Sequence, residues 1–484
     1  MSAAAVAREL LLYGGRRVDS ASGGSSDVLD PATNETIARV AEAGAEDVDR
    51  AVRAAAAAFA VWRRATPKDR ARVLFRAADL IRRDADALAL MESRNAGKPL
   101  ASAKGEVLSG ADTLEFYAGA VTKFGGATIP VSAPGACLTF REPIGVCALI
   151  VPWNFPFAIA CWKVAPALAM GNAAVLKPAS STPLTALRLG ELLLEAGLPE
   201  GALAVLPGPG ETAGTALVTH PLVRKISFTG STEVGKRVMR LAADGIKRVS
   251  LELGGKSACL VFADADIPAF LPSAMWSALD NAGQDCCARS RFLVEESVYD
   301  RVAADLASAV SKVRVGNPLD PATEMGPVIT RAHRDRVKGY VALGESEGAA
   351  RLVGGEAPAD ALLSKGNYVA PAVFAGVSSG MRIAQEEIFG PVISVIRVKD
   401  EEEAVRVGND SRYGLSGSIF TRDLGRALRV ARAIETGVLS VNSSRSVFVE
   451  APFGGVKESG LGRELGMEAL AAYSELKTVF LSGE

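Results

Sequence analysis

Apolar residues recur at helical spacing through residues 45–122, with Val52, Ala55, Phe59 and Trp62 on one stripe and Val73, Leu74, Ala77 and Leu80 on another. Farther on, short apolar runs alternate with striped segments. Gly145–Val151 reads as a strand, followed by a helix from about Phe157 to Met170, then a strand Ala173–Leu176 and a Leu-striped helix Pro183–Ala196. The series continues with strand Ala202–Leu206, a short helix from Glu211, strand Lys225–Phe228, helix Ser231–Ala243 and strand Val249–Leu253. This alternation predicts an α/β fold with a parallel, doubly wound sheet covered on both faces. Such a sheet binds ligands at the carboxyl ends of its strands.

The pattern resumes in a second α/β unit. Strands are predicted at Ser257–Phe262, Arg291–Val294, Val392–Ile396, Gly417–Phe420 and Val438–Val441. Helices are predicted over Ile267–Ala282 and near Glu401 and Leu424. The alternating residues Thr478–Leu481 predict an edge strand open to a neighbour. No repeat, long linker or like-charge block separates these parts, so the units are expected to pack together.

Length and charge narrow the function. The 484 residues imply two or three domains, and the 49% hydrophobic and 23% charged content fits a soluble globular chain. With 54 Lys and Arg against 55 Asp and Glu, no basic excess draws the chain to nucleic acid or anionic membrane. The most apolar run, Val146–Trp162, contains Asn154 and two prolines and makes a poor membrane span. Six cysteines without a CxxC, and a start without a secretory pattern, lead us to expect a cytoplasmic protein with free thiols. Two histidines, His220 and His333, leave little room for histidine metal sites or triads, and neither has a suggestive context.

Two phosphate-loop patterns nearly match. Gly208-Pro-Gly210-Glu-Thr-Ala-Gly214 has one residue too many for the dinucleotide fingerprint. Gly230-Ser-Thr-Glu-Val-Gly235-Lys236-Arg237 imitates a P-loop, but Arg237 stands where a magnesium-binding hydroxyl belongs. Each follows a strand and opens a helix, an arrangement that favours a pyrophosphate when both lie on one sheet.

Three residue types suggest a reactive centre, each with a structural alternative. Cys286, in Gly283-Gln284-Asp285-Cys286-Cys287, is either core or a reactive thiol. Glu252, inside Leu251-Glu252-Leu253-Gly254-Gly255-Lys256, is either a buried partner of a lysine or a base raised by desolvation. Asn154, in Pro152-Trp153-Asn154-Phe155-Pro156, either satisfies its own turn or donates to an oxyanion.

Together with Lys177-Pro178, Phe228–Ser231, Glu386–Pro391 and Pro452–Gly460, these segments resemble the NAD(P)-dependent aldehyde dehydrogenase superfamily, in order and over almost the whole chain. The resemblance implies a Rossmann-like cofactor domain (1–123 and 144–253), a catalytic domain (254–454) and a bridging element (124–143 and 455–484) that makes homodimers or homotetramers. It implies Cys286 as nucleophile, Glu252 as general base, Asn154 as oxyanion donor and Cys287 as a bystander. Lys177 is expected at the adenosine ribose, Ser231 at the pyrophosphate and Glu387 at the nicotinamide ribose, with Phe389 nearby. Trp153, Ser180, Gly208, Phe228 and Gly230 complete the expected cofactor site, and no metal is implied.

The chain departs from the pattern at Ser180. NAD-preferring relatives often carry Glu there, which repels a 2′-phosphate, so NAD with NADP tolerated is expected. Phe155, Trp162 and Phe453 match substrate-tunnel positions and resemble part of the aromatic box of betaine and amino-aldehyde dehydrogenases, where an ammonium rests on π faces. Aromatics there also suit a generalist enzyme. Asp280 either meets a cationic aldehyde or pairs with Arg445. Among other classes, a thiol hydrolase would need a histidine partner, a CoA-acylating relative would not require Glu252, and a non-catalytic relative would lose the cysteine or the base.

Overall fold

Five parallel strands, in the spatial order Arg248–Glu252, Val223–Thr229, Val146–Ile150, Ala173–Lys177 and Leu203–Val205, form the centre of an eight-stranded sheet. The computed structural model describes residues 6–357, 360 and 363–483. Residues 1–5 and 484, at the ends of the expected first and third units, therefore lie outside it, as do 358, 359, 361 and 362 of the second. Antiparallel segments close both edges: the hairpin Leu11–Tyr13 with Arg16–Val18, and the short strand Gly460–Leu461.

Side-chain alternation explains the double winding. Cys147 and Leu149 enter one core with helices Pro67–Arg83, Leu100–Ala120 and Pro156–Ala169, whereas Val146, Ala148 and Ile150 enter the opposite core with helix Ala45–Trp62. The chain starts this parallel series at Val146–Ile150, winds outward to Leu203–Val205, then returns to place Val223–Thr229 on the other side. The connections after Ile150 and Thr229 thus leave in opposite directions from adjacent strand ends. A crevice must open between them.

The second sheet has seven strands, parallel apart from the edge Ala350–Val353, with Ala258–Val261 between Arg291–Glu295 and Ser416–Phe420. Only residues 253–257 join Glu252, at the carboxyl end of the first sheet, to Ala258, at the amino end of a second-sheet strand. A Cβ on Gly255 would stand 2.5 Å from the Cys286 carbonyl oxygen, so this link runs directly beneath the loop that bears Cys286.

Two sequence expectations need correction. The helix from Ile267 ends at Leu279 and does not reach Ala282, because Asn281 (φ 51°) and Ala282 (φ 55°) take left-handed conformations that turn the chain toward Cys286. The terminal edge strand is longer than expected, Ser474–Ser482, and it pairs with Gly135–Pro143 of its own chain, with Thr128–Ile129 beyond. Its outer edge stays open and carries the exposed residues Leu476, Phe480 and Leu481. Among the described residues, no helix is long and apolar enough to cross a membrane.

Candidate active site

A cavity of about 440 Å³ occupies the crevice at the switch point. Its lining combines Trp153 and Asn154 from the turn after Ile150, Gly230 and Ser231 from the turn after Thr229, and Glu252 from the next strand end. Cys286, Glu387 and Phe389 enter from the second unit.

Asn154 is 3% exposed. Its Nδ2 donates to the Gln284 carbonyl at 3.0 Å, which ties it to the loop that bears Cys286. Gln284 also anchors that loop, donating to Asn281 O and accepting the Ile329 N–H. Cys286 is half-buried. Its thiol is held well above its ordinary pKa, first by its contact with Cys287, then by burial and by the charges of Asp285 and Glu252. Burial and neighbouring negative charge thus both favour the neutral form of this thiol.

Glu252 is 4% exposed, and neither carboxyl oxygen has a hydrogen-bond partner among the described residues. Burial, then the neighbouring Glu464, raises its pKa well above the carboxylate range. Its predicted alternative role, pairing with a lysine, is taken by Glu464, which binds the fully buried Lys163 and accepts from Ser227 at 2.9 Å. A Cβ at Gly454 would come within 2.6 Å of Glu252 Oε1, so the glycine there makes room for the carboxyl group.

The groove also suits a dinucleotide. Ser231 caps the helix Thr232–Ala243, its Oγ accepting the Val234 N–H, and with Gly230, which has no Cβ, it lines the cavity at this helix start. Thr229 Oγ1 lines the cavity, buried and without a hydrogen-bond partner among the described residues. Glu387 accepts the Gly255 N–H at 3.0 Å, and a Cβ on Gly254 would collide with its carboxylate. Lys177 Nζ donates to the Pro178 and Gly208 carbonyls at 2.9 Å, and Ser180 Oγ donates to Gly208 at 3.2 Å. These three residues form their own cluster at a strand end and do not line the cavity itself. Phe228 lies beneath the groove: it is 5% exposed, and its ring would be 2.6 Å from a Cβ on Gly230.

The four expected substrate residues lie outside this cavity. Trp162 and Phe453 meet edge to face at 5.4 Å and pack in one apolar cluster with Cys286, Cys287 and Leu415. Phe155 already carries a cation, because Lys98 Nζ sits 4.4 Å from its ring centroid. Asp280 is exposed, and among the described residues no ion pair joins it to Arg445, whose guanidinium lies over Phe448. Asp285, Cys286 and Cys287 bring three donor atoms within 4.8 Å of one another, but a metal held there would engage the thiol itself.

Sequence reasoning missed four residues of this region. His333 Nε2 is 2.6 Å from the Phe389 carbonyl, and the ring packs against Trp153. Arg336 donates to the Glu387 carbonyl at 2.8 Å. Both come from the start of helix Arg331–Ser346 and hold a loop on which Phe389 has a left-handed backbone (φ 59°). Lys163 and Glu464 were the other two. A lysine inside the apolar helix Pro156–Ala169 was a usable signal, since such a charge needs a buried partner. Nothing local marked His333.

The chain is similar to proteins of known structure. A model of the aldehyde dehydrogenase family matches residues 18–479. PnpE from Pseudomonas sp. WBC-3, solved with nicotinamide adenine dinucleotide, is 42% identical with a TM-score of 0.97, covering 98% of this chain and 97% of its own. Betaine aldehyde dehydrogenase from Staphylococcus aureus, solved with NAD+, is 38% identical with a TM-score of 0.96, covering 98% and 94%. An aldehyde dehydrogenase from Bacillus cereus in its NAD+ complex is 38% identical with a TM-score of 0.96, covering 99% and 97%. With a doubly wound sheet, a switch-point crevice and a thiol beside a buried carboxyl group, the chain belongs to the aldehyde dehydrogenase family.

Proposed function

We propose that the protein oxidises aldehydes to carboxylic acids by covalent catalysis at Cys286, with a nicotinamide dinucleotide as electron acceptor. One observation carries the reading: Cys286, Glu252 and Asn154 line the same cavity as the helix start at Ser231. The Cys286 sulfur, once deprotonated, attacks the aldehyde carbon, and the negative charge gathers on the carbonyl oxygen. The Asn154 amide, released from Gln284, donates to that oxygen together with a backbone N–H. When bound, the dinucleotide supplies the acceptor for the hydride lost from the aldehyde carbon. The thioester left on Cys286 is then attacked by water whose proton Glu252 takes, the C–S bond breaks, and acid and thiol are regenerated.

Gly230, Ser231, Glu387 and Phe389 would hold the dinucleotide in the cavity, with Lys177, Ser180 and Gly208 at its adenosine end. The NAD+ complexes of the S. aureus and B. cereus relatives support NAD. Ser180 places no carboxylate beside the ribose, so NADP is tolerated. The substrate reading favoured here is a cationic amino-aldehyde or betaine aldehyde, supported by the acidic Asp280 six residues before Cys286, exposed outside the cavity. The cation already resting on Phe155 supports a generalist enzyme instead, since it weakens an aromatic box for a second ammonium.

The test is a nicotinamide-reduction assay with 4-aminobutyraldehyde, betaine aldehyde, hexanal and benzaldehyde, using NAD and NADP in turn. Cys286→Ala abolishes turnover, and Asn154→Ala lowers it by about 10²–10³. Asp280→Asn lowers kcat/KM for the cationic aldehydes only. An unchanged ratio leaves the generalist reading.

A further inference from the structure

Asn154 belongs to a turn without regular structure, yet its backbone carbonyl accepts two hydrogen bonds. One comes from Lys98 Nζ at 2.8 Å and the other from Asn281 Nδ2 at 2.8 Å. Lys98 is 2% exposed and lies 56 residues away, in the sharp turn between helices Ala85–Ala96 and Leu100–Ala120, where Gly97 adopts φ 81°. Burying an ammonium is costly unless it is paired, and here the pair is complete. The Glu106 carboxylate binds Lys98, and its other oxygen accepts the N–H groups of Phe157 and Ala158, each at 3.1 Å, at the start of helix Pro156–Ala169. The nearby Glu92 is pushed up to about 8, first by burial and then by Glu106, so its charged form is disfavoured. Lys98 and Glu106 form one buried ion pair.

Asn281 completes a ring. Its amide donates to both Asn154 O and Gln284 O, and Gln284 O also accepts Asn154 Nδ2. The main chain of Asn154 is thus fastened from two sides, whereas its side-chain amide makes one bond to a carbonyl two residues before the nucleophile. That bond must be exchanged for one to the substrate oxygen, and the exchange reproduces a defined geometry only if the backbone stays fixed. Misplacing a catalytic group by about 1 Å costs about 10²-fold in rate.

We infer that Lys98 is a positioning residue for addition of Cys286 to the aldehyde, acting through the Asn154 carbonyl. Neither a purely structural ion pair nor helix capping by Glu106 requires the bond to Asn154. The inference rests on the oxyanion role proposed for Asn154, and the test separates the two.

The variant Lys98→Met/Glu106→Gln removes both charges together, so no carboxylate is left stranded in the core. Asn281→Gly removes the second donor and keeps a left-handed backbone accessible. Stopped-flow measurement of the first-turnover burst of reduced nicotinamide reports aldehyde addition and oxidation, and single-turnover thioester decay reports hydrolysis. Each variant is expected to slow the burst by about 10- to 10²-fold and to slow the decay too, since hydrolysis gathers charge on the same oxygen, with the KM for NAD unchanged. In an Asn154→Ala background, neither variant should slow the burst further, because the group it positions is gone. Full additivity with Asn154→Ala, or an unchanged burst, overturns the inference. If Asn154→Ala alone leaves the burst at the wild-type rate, the oxyanion reading itself has failed. Should the double variant lack a cooperative melting transition, Asn281→Gly decides by the same criteria.

Discussion

At the residue scale, the centre depends on burial working against charge. Glu252 is the clearest case, because a carboxyl group without hydrogen-bond partners beside Glu464 keeps its proton well above the usual carboxylate range. Such a group acts as a base only after losing that proton. kcat is therefore expected to fall as pH drops through its raised pKa, in a range where exposed carboxylates are fully ionised. A pH profile of single-turnover thioester decay measures this, and Glu252→Gln should slow the decay and remove the limb. A decay rate independent of pH from 5 to 9 in the wild type would take Glu252 out of the base role. The residue types of this centre were legible in the sequence, since a Glu in an apolar run and a Cys before a strand are both conspicuous. Its supporting residues were not. His333, Arg336 and Asn281 act through backbone carbonyls, and a bond to a carbonyl leaves no mark on the partner's identity.

At the scale of elements, helix Leu100–Ala120 determines how the Asn154 turn is backed. Gly110 lets this helix approach Pro156–Ala169 so closely that a Cβ would meet the Phe157 ring at 2.7 Å and Cys161 Sγ at 3.0 Å. Both neighbours are fully buried, so neither can swing away. Gly110→Val is expected to destabilise the protein by about 1–3 kcal/mol through overpacking. Thermal melting checks this, and a Tm equal to wild type would mean the helices separate freely. Strand and helix positions in the parallel series followed from periodicity, because each strand is buried on both faces and bounded by turns. The helix from Ile267 ran past its true end in that reading. Nothing local at Asn281 and Ala282 marks the stop, and the side-chain bonds of Asn281 to Asn154 and Gln284 accompany the left-handed turn.

At the scale of the whole molecule, the three-stranded sheet of Ser474–Ser482, Gly135–Pro143 and Thr128–Ile129 leaves an open edge beside Leu476, Phe480 and Leu481. Apolar side chains next to unpaired backbone groups are a ready template for a second copy. The proposed homodimer or homotetramer should use this edge, and Leu476→Glu with Phe480→Glu should shift the protein toward monomers in light scattering. Retention of the wild-type mass would place the interface elsewhere. That a strand would form at the C-terminus was readable from alternation; its partner within the chain was not, because 335 residues separate cross-strand neighbours such as Lys477 and Glu142, whose side chains form an ion pair. The central claim is the covalent adduct, and the intact mass of the whole chain tests it most directly. Glu252→Gln protein mixed with NAD and an accepted aldehyde, then quenched in acid, should gain the mass of one acyl group, mapped to Cys286, with about one reduced nicotinamide formed per chain. Reduced nicotinamide in that amount without any acylated Cys286, or the same adduct persisting in Cys286→Ala, would contradict the account.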